Sequence, residues 1–255
     1  MGERYLDTVE VGGSKPPGPT MIADCSEASS YYVPYIMSEI QLRLPDGQDR
    51  KYASGITGQE VAEKIGSRLA KDALAIKIDG HLQDLKIPVE RNAEVAIVTF
   101  DVPEGREVYW HSTSHLMAHA VKQLFPQSKL AIGPAIEEGF YYDFDLERPL
   151  TPEDLVKIEK KMADLAKAAS RITRKNISKA DALAFFNNKG ESYKVELINE
   201  LPDGEAITIY EQGDFADLCR GPHVPSTSKI KAFKLLSIAG AYWRVSEKNK
   251  MLQRI

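Results

Sequence analysis

Cysteine is scarce in this 255-residue chain, which has two in all, and so are histidine, with five, and tryptophan, with two. Cys25 and Cys219 lie far apart in unlike surroundings, which argues against a disulfide framework and makes a lone thiol a candidate functional group. Also missing is any apolar run of about 18 residues or more, the length a membrane-spanning helix needs. The N-terminus lacks the basic-then-apolar layout of an export signal. A cytoplasmic protein with no membrane partner is therefore expected. What remains is ordinary globular material, 43% apolar and 27% charged, enough for one large domain or two modest ones.

The net charge of −4 is unevenly spread. Residues 157–179 carry eight Lys or Arg against Glu159 and Asp164, and residues 229–254 carry seven against Glu247. Residues 191–217 carry eight acids against Lys194 alone. Such blocks serve as solvated faces, or as two cationic surfaces that follow a phosphate backbone.

Residues 1–37 offer no periodic face, and "VGGSKPPGPT" has the composition of a linker, so a flexible N-terminal extension is expected there, with Met37 as a conceivable original start. Order is expected from residue 38. Ile40, Leu42 and Leu44 alternate ahead of a Pro45-Asp46-Gly47 turn, which predicts a hairpin. Thr57 and Glu60 have capping-box spacing before the helical stripe Val61, Ala62, Ile65 and Leu69. "ALAIKI", "HLQDL" and "EVAIVTF" then read as strands. The order β-β-α-β-β-β over residues 38–102 points to a small ubiquitin-like β-grasp domain.

The pattern breaks at Pro103-Glu104-Gly105, and residues 103–255 read as a second, larger domain of the α+β class, with helices packed on an antiparallel sheet. In "HSTSHLMAHAVKQLFP" Leu116, Met117, Ala120, Val121 and Leu124 share one arc of a helix, while His111, His115 and His119 share a stripe at its edge. "LAIGPAIEEGFYYDFD" reads as strand, turn and strand. Thr151-Pro152-Glu153-Asp154 is a strong helix start, followed by the stripe Leu155, Ile158, Met162, Leu165 and Ala169.

Two short stretches carry chemistry. His115 and His119, at i and i+4, project side by side and can reach one metal ion or one substrate atom, although such a pair alone is equally at home in a core. The pair is not the zinc-protease motif, because Leu116 stands where that motif needs Glu. In "DLCRGPH" the Gly221-Pro222 pair keeps Cys219 and His223 out of a helix, so both can turn toward a common centre. His115, His119, Cys219 and His223 suit a tetrahedral zinc site and equally a metal-free hydrolytic one. Asp217 can orient an imidazole, and Lys194 is either a salt-bridge lysine or a positioned cation.

"HSTSHLMAHAVKQLFPQSKLAIGPAIEEGFYYDFD", "KGESYKVELI", "DLCRGPHVPSTSKIKAFKLLSIAGAYWR" and "NKMLQRI" resemble the N-terminal half of bacterial-type threonyl-tRNA synthetases, and residues 40–101 resemble that family's TGS module. The resemblance covers about residues 38–255. It implies a hydrolytic proofreading site that removes serine mischarged onto threonine tRNA, with His115, His119, Lys194, Asp217, Cys219 and His223 as its residues. Serine is threonine less a methyl, worth only about 1–3 kcal/mol in a pocket, so a synthetic site alone admits too much of it. In the expected mechanism water attacks the aminoacyl ester. The histidines and Asp217 hold or activate that water, Lys194 helps to place it or the substrate, and Cys219 shapes the pocket. A thiolate nucleophile is the competing mechanism.

The resemblance further implies the aminoacylated 3′ end of tRNA(Thr) as partner and homodimerisation of the longer enzyme. No cofactor is required for editing, zinc is possible at the editing site, and ATP and zinc belong to a class II core that this chain does not contain, so ligase activity is not expected of it. Alanyl-type tRNA editing, and a non-catalytic tRNA-binding module with a structural zinc, are the alternatives. One departure stands out. Val245 follows Trp-Arg where the family usually has Gly, and a β-branched residue adopts a positive φ with difficulty.

Overall fold

The computed structural model describes residues 38–202 and 204–255; the expected extension over residues 1–37 lies outside them. Strands β1 (Glu39–Arg43) and β2 (Asp49–Ala53) form the expected hairpin, with Ile40 opposite Tyr52 and Leu42 opposite Arg50. Alternation puts Ile40 and Leu42 in the core, and Gly47 takes the positive φ of the turn. Thr57 and Glu60 close a reciprocal capping box at the start of α1 (Gly58–Ile65). A second short helix, α2 (Ser67–Asp72), follows Gly66 and leads into β3 (Ala73–Ile78), β4 (His81–Asp84) and β5 (Ala93–Thr99). The sheet order is β2-β1-β5-β3-β4, with β5 parallel to β1 and antiparallel to β3. This is the β-grasp arrangement expected from the strand order.

The break at residues 103–105 is a helix start. Pro103 occupies the first turn of α3 (Pro103–Leu124), where its missing N–H costs nothing. A Cβ at Gly105 would lie 1.8 Å from the Thr99 carbonyl oxygen, so only glycine lets the helix begin flush against the end of β5. Every residue from Ser112 to Val121 is buried, polar ones included. Helix α3 is therefore the axis of the larger region, covered on all sides.

Around it lie β6 (Lys129–Leu130), β7 (Asp143–Asp145), α4 (Pro152–Lys167), β8 (Ile172–Ile177), α5 (Lys179–Asn188), α6 (Ser192–Glu200), β9 (Ile207–Gln212), β10 (Phe215–Leu218), β11 (Ala239–Tyr242) and β12 (Met251–Arg254). One antiparallel sheet has the order β11-β12-β7-β6 and the other β8-β9-β10. The expected Thr151 cap is a capping box with Asp154, and Ile158 and Met162 of α4 are fully buried against α3. The main core also contains Leu74, Ala75 and Val98 of the β-grasp sheet beside Val108 and Tyr109 of α3, so the two regions share one apolar seam.

The turn after Trp243 departs from expectation. Arg244 and Val245 both have positive φ, 55° and 56°, so the β-branch of Val245 does not prevent the left-handed conformation. Val245 is 98% exposed, so no packing contact opposes the turn, and the clash of its Cβ with its own backbone remains as local strain.

Candidate functional site

Helix α3 presents His111 and His115 one turn apart, and the segment after β10 brings Cys219 and His223 to meet them. Residue 221 has to be glycine for this segment to close. Its φ is +73°, and a Cβ would lie 1.9 Å from the Tyr210 hydroxyl oxygen. Cys219 Sγ lies 3.4 Å from His111 Nε2 and 3.2 Å from His223 Nε2. The His115 ring packs edge-on to His223 at 4.4 Å and to His111 at 5.1 Å between centroids.

Hydrogen bonding at Ser112 fixes the tautomer of His223. The Ser112 hydroxyl has one proton, given to the Val108 carbonyl at 2.7 Å, and it accepts the Val224 N–H at 2.9 Å. Its 3.2 Å contact with His223 Nδ1 therefore needs the proton on Nδ1, which leaves Nε2 as a bare lone pair facing Cys219. From the β-grasp region Asp84 holds the same segment. Its carboxylate accepts the His223 N–H at 3.0 Å and the Tyr210 hydroxyl at 2.7 Å, and the Tyr210 ring packs 4.5 Å from the His223 ring.

Beside the cluster lies a second buried group. Asp217 Oδ1 accepts from Lys194 Nζ at 2.7 Å and from the Leu218 N–H at 2.8 Å, and Oδ2 accepts from the Tyr142 hydroxyl at 2.6 Å. Lys194 Nζ also donates to the Tyr142 hydroxyl at 2.9 Å. All three side chains are essentially excluded from water, and the ion pair is stabilised by these additional donors. Asp217 Oδ2 is 3.5 Å from His115 Nδ1, too far for a tight hydrogen bond.

His119 stands apart. Its Nε2 is 2.7 Å from Asp214 Oδ1, its Nδ1 accepts from Gln212 at 3.0 Å, and its ring stacks on Phe215. The four side chains whose ligand atoms lie within 4.8 Å of one another are His111, His115, Cys219 and His223. The set expected for zinc differs by one helical turn, with His119 in place of His111. Both pairs have the i, i+4 spacing, and only the position of the Cys219–His223 segment along α3 decides between them.

Burial controls the protonation of the cluster. It pushes the His111 imidazole down to about 4, against the opposing pull of Asp217, and holds His115 and His223 well below the usual histidine range. The neighbouring imidazoles reinforce this for the last two. Burial also drives the Cys219 thiol up to about 12, despite the stabilising Gly221 N–H. Near neutral pH the cluster thus has three neutral imidazoles and a protonated thiol, next to a paired Lys194–Asp217. Three nitrogens and one sulfur within this span fit a closed tetrahedral zinc set, which on binding would turn the thiol into a thiolate and take all four positions with protein ligands.

His115 and His223 wall a small cavity of about 10 Å³ with Ile172, Tyr210, Gln212 and Phe215. That is room for roughly one water. Gln212 is 3% exposed, and its Oε1 has no hydrogen-bond partner among the described residues. A water in the cavity would offer that acceptor the donor it lacks.

Several residues of this arrangement carried no signal in the sequence. Tyr142, Tyr210 and Ser112 look like core aromatics and a helix serine, and Asp84 lies 139 positions before the His223 whose N–H it accepts. His111 was legible as a helical neighbour of His115, yet its partnership with Cys219 is a tertiary fact.

Two segments of the chain match known domain families. Residues 207–255 match the model of the "Threonyl and Alanyl tRNA synthetase second additional domain", and residues 40–99 match the TGS domain. The threonine–tRNA ligase of Pelobacter propionicus is 58% identical over 219 residues, covering 86% of this chain and 34% of that protein. Those of Acetivibrio thermocellus and Nitrosomonas europaea are each 54% identical, over 216 and 214 residues, again covering 34% of the relative. The chain spans about a third of the length of the curated relatives it matches. It carries a TGS domain and a second additional domain, and resembles the N-terminal part of bacterial threonine–tRNA ligases. Among the described residues no helix is long and apolar enough to cross a membrane.

Proposed function

We propose that the buried His/Cys cluster is a proofreading site that hydrolyses the ester joining serine to the 3′ end of tRNA(Thr), and that residues 103–255 form the editing domain and residues 38–102 the TGS domain. The observation that carries this reading is the neutral, water-sized cleft formed by His115 and His223 beside a charge-compensated Lys194–Asp217 pair. A general base near neutral pH has to be unprotonated, and burial keeps these imidazoles so.

In this mechanism a water between His115 and His223 attacks the ester carbonyl, and an imidazole Nε2 takes its proton. The Asp217 carboxylate stabilises the imidazolium that forms on His115. Lys194 acts through Asp217 and Tyr142, holding the carboxylate in place. His119, tied to Asp214, backs the cavity wall by stacking on Phe215 and accepting from Gln212. Cys219 shapes the pocket without attacking, because its thiol stays protonated far above neutral pH. The reaction requires no cofactor in this form. Specificity comes from exclusion: a pocket that admits serine and rejects the added methyl of threonine removes the error that a synthetic site cannot avoid.

The test is release of serine from seryl-tRNA(Thr). Wild-type chain is expected to accelerate it, His115→Ala to abolish the acceleration and Cys219→Ala to retain it. An acylated Cys219 trapped during turnover would overturn the water mechanism. Stoichiometric zinc whose removal unfolds the protein, with no hydrolysis by any form, would assign the cluster a structural role.

A further inference from the structure

Next to the cluster, a cavity of about 390 Å³ separates the segment Asp84–Pro88 of the β-grasp region from strand β8, and His223 forms part of its wall. Its volume falls within the roughly 300–1,000 Å³ typical of small-ligand sites. Lys86 enters from the β-grasp side, and Arg171 and Arg174 from the opposite side. Among the described residues none of these three cations has an ion-pair or hydrogen-bonding partner. Lys175, next along the same strand, is by contrast neutralised by Glu211 at 2.7 Å. The single carboxylate lining the cavity, Asp84, has both oxygens engaged, one by Tyr210 and one by the His223 N–H. Burial and the adjacent Arg171 hold the Lys86 ammonium below its usual range, as expected for cations gathered without a counter-ion.

We propose that this cleft binds the sugar–phosphate backbone at the 3′ end of the RNA, so that the β-grasp region, through Lys86, shares directly in holding the substrate whose ester lies at the cluster. The proposal rests on the editing reading of the site and extends it to a second part of the chain. Uncompensated cations facing each other across a groove favour a polyanion, and the groove shares His223 and Ile172 with the small reactive cavity. An aminoacyl ester on a terminal ribose has its nearest phosphate on that same nucleotide. A backbone held between Lys86, Arg171 and Arg174 would therefore deliver the ester beside His223. Asp84 acts as an anchor in this arrangement, tying the Lys86 segment to the Cys219–His223 segment.

The experiment compares wild-type chain with Lys86→Glu, Arg171→Glu, Lys86→Arg and, as a control of equal charge change, Lys64→Glu on the exposed face of α1. Binding of a 5′-labelled single-stranded RNA with a free 3′ end is measured by fluorescence anisotropy at two salt concentrations, and kcat and KM are measured for seryl-tRNA(Thr). Lys86→Glu and Arg171→Glu are each expected to weaken RNA binding about tenfold and to flatten the salt dependence by about 0.7 of a log unit per lost phosphate contact. KM should rise by a similar factor with kcat unchanged, while Lys86→Arg and Lys64→Glu stay near wild type. RNA affinity unchanged by both cleft substitutions, equal loss in Lys64→Glu, or no RNA binding by wild type would each overturn the proposal. Should wild type bind RNA in the expected pattern without hydrolysing seryl-tRNA(Thr), the cleft stands and the editing reading fails.

Discussion

Two polar groups lie buried side by side in this protein and are stabilised in opposite ways. Lys194, Asp217 and Tyr142 are charged or strongly polar, and each finds its partners within the group. His111, His115, Cys219 and His223 are neutral, and in His223 a ring nitrogen keeps its lone pair directed at its neighbours. The first arrangement is closed and the second is open. A closed network holds geometry, whereas an open set of lone pairs binds a proton, a water or a metal. The pairing of the two separates the task of positioning from the task of reacting.

The largest effect should come from opening the closed group. Asp217→Ala strands Lys194 as an unpaired buried cation and is expected to cost about 3–5 kcal/mol of stability, read by chemical denaturation. Replacing Lys194 with Met should cost a comparable amount, and the double substitution less than the sum. A mild effect from Asp217→Ala would show that water reaches the network and would erase the contrast with the cluster.

Acid should open the cluster before neutral pH disturbs it. His111 is held near 4 in the folded chain, below the 6.5 of the free side chain, so between those values the unfolded state binds more protons. The stability this histidine contributes is complete above about 6.5 and is lost as pH falls toward 4, and His115 and His223 act in the same direction. Melting temperature should therefore drop as pH falls through that window, and His111→Gln should make the drop shallower. An identical slope in wild type and variant would mean that His111 is solvated.

A smaller effect is expected at Cys219. With its thiol protonated, Cys219→Ala should leave seryl-tRNA(Thr) hydrolysis within about threefold of wild type, whereas His115→Ala removes it. Equal loss from both would join the thiol to the reacting set. The smallest effect lies far from either group. Val245→Gly relieves a left-handed β-branched residue and should raise stability by about 1 kcal/mol, with hydrolysis untouched.

The β-grasp order and the start of α4 were legible because they depend on local signals, alternation in β1 and the Thr57–Glu60 and Thr151–Asp154 boxes, whereas Pro103 read as a break between domains and is instead the first turn of α3. The chemistry-bearing residues were legible as types, since a Cys and His across Gly221-Pro222 and repeated histidines at helical spacing are rare in a chain so poor in both. Which histidines meet Cys219 was not. His111–His115 and His115–His119 have the same spacing, and the choice depends on contacts between α3 and the segment after β10. The Asp84 bridge and the Lys86 cleft are equally non-local, because they arise only when the β-grasp region packs against β8.

The most direct test of the central claim is the ratio of hydrolysis rates for seryl-tRNA(Thr) and threonyl-tRNA(Thr) under identical conditions, with His115→Ala as the blank. The account predicts rapid loss of serine, threonine spared, and no enzyme-dependent loss of either in the variant. Equal hydrolysis of both esters, or loss of serine undiminished in His115→Ala, would contradict it.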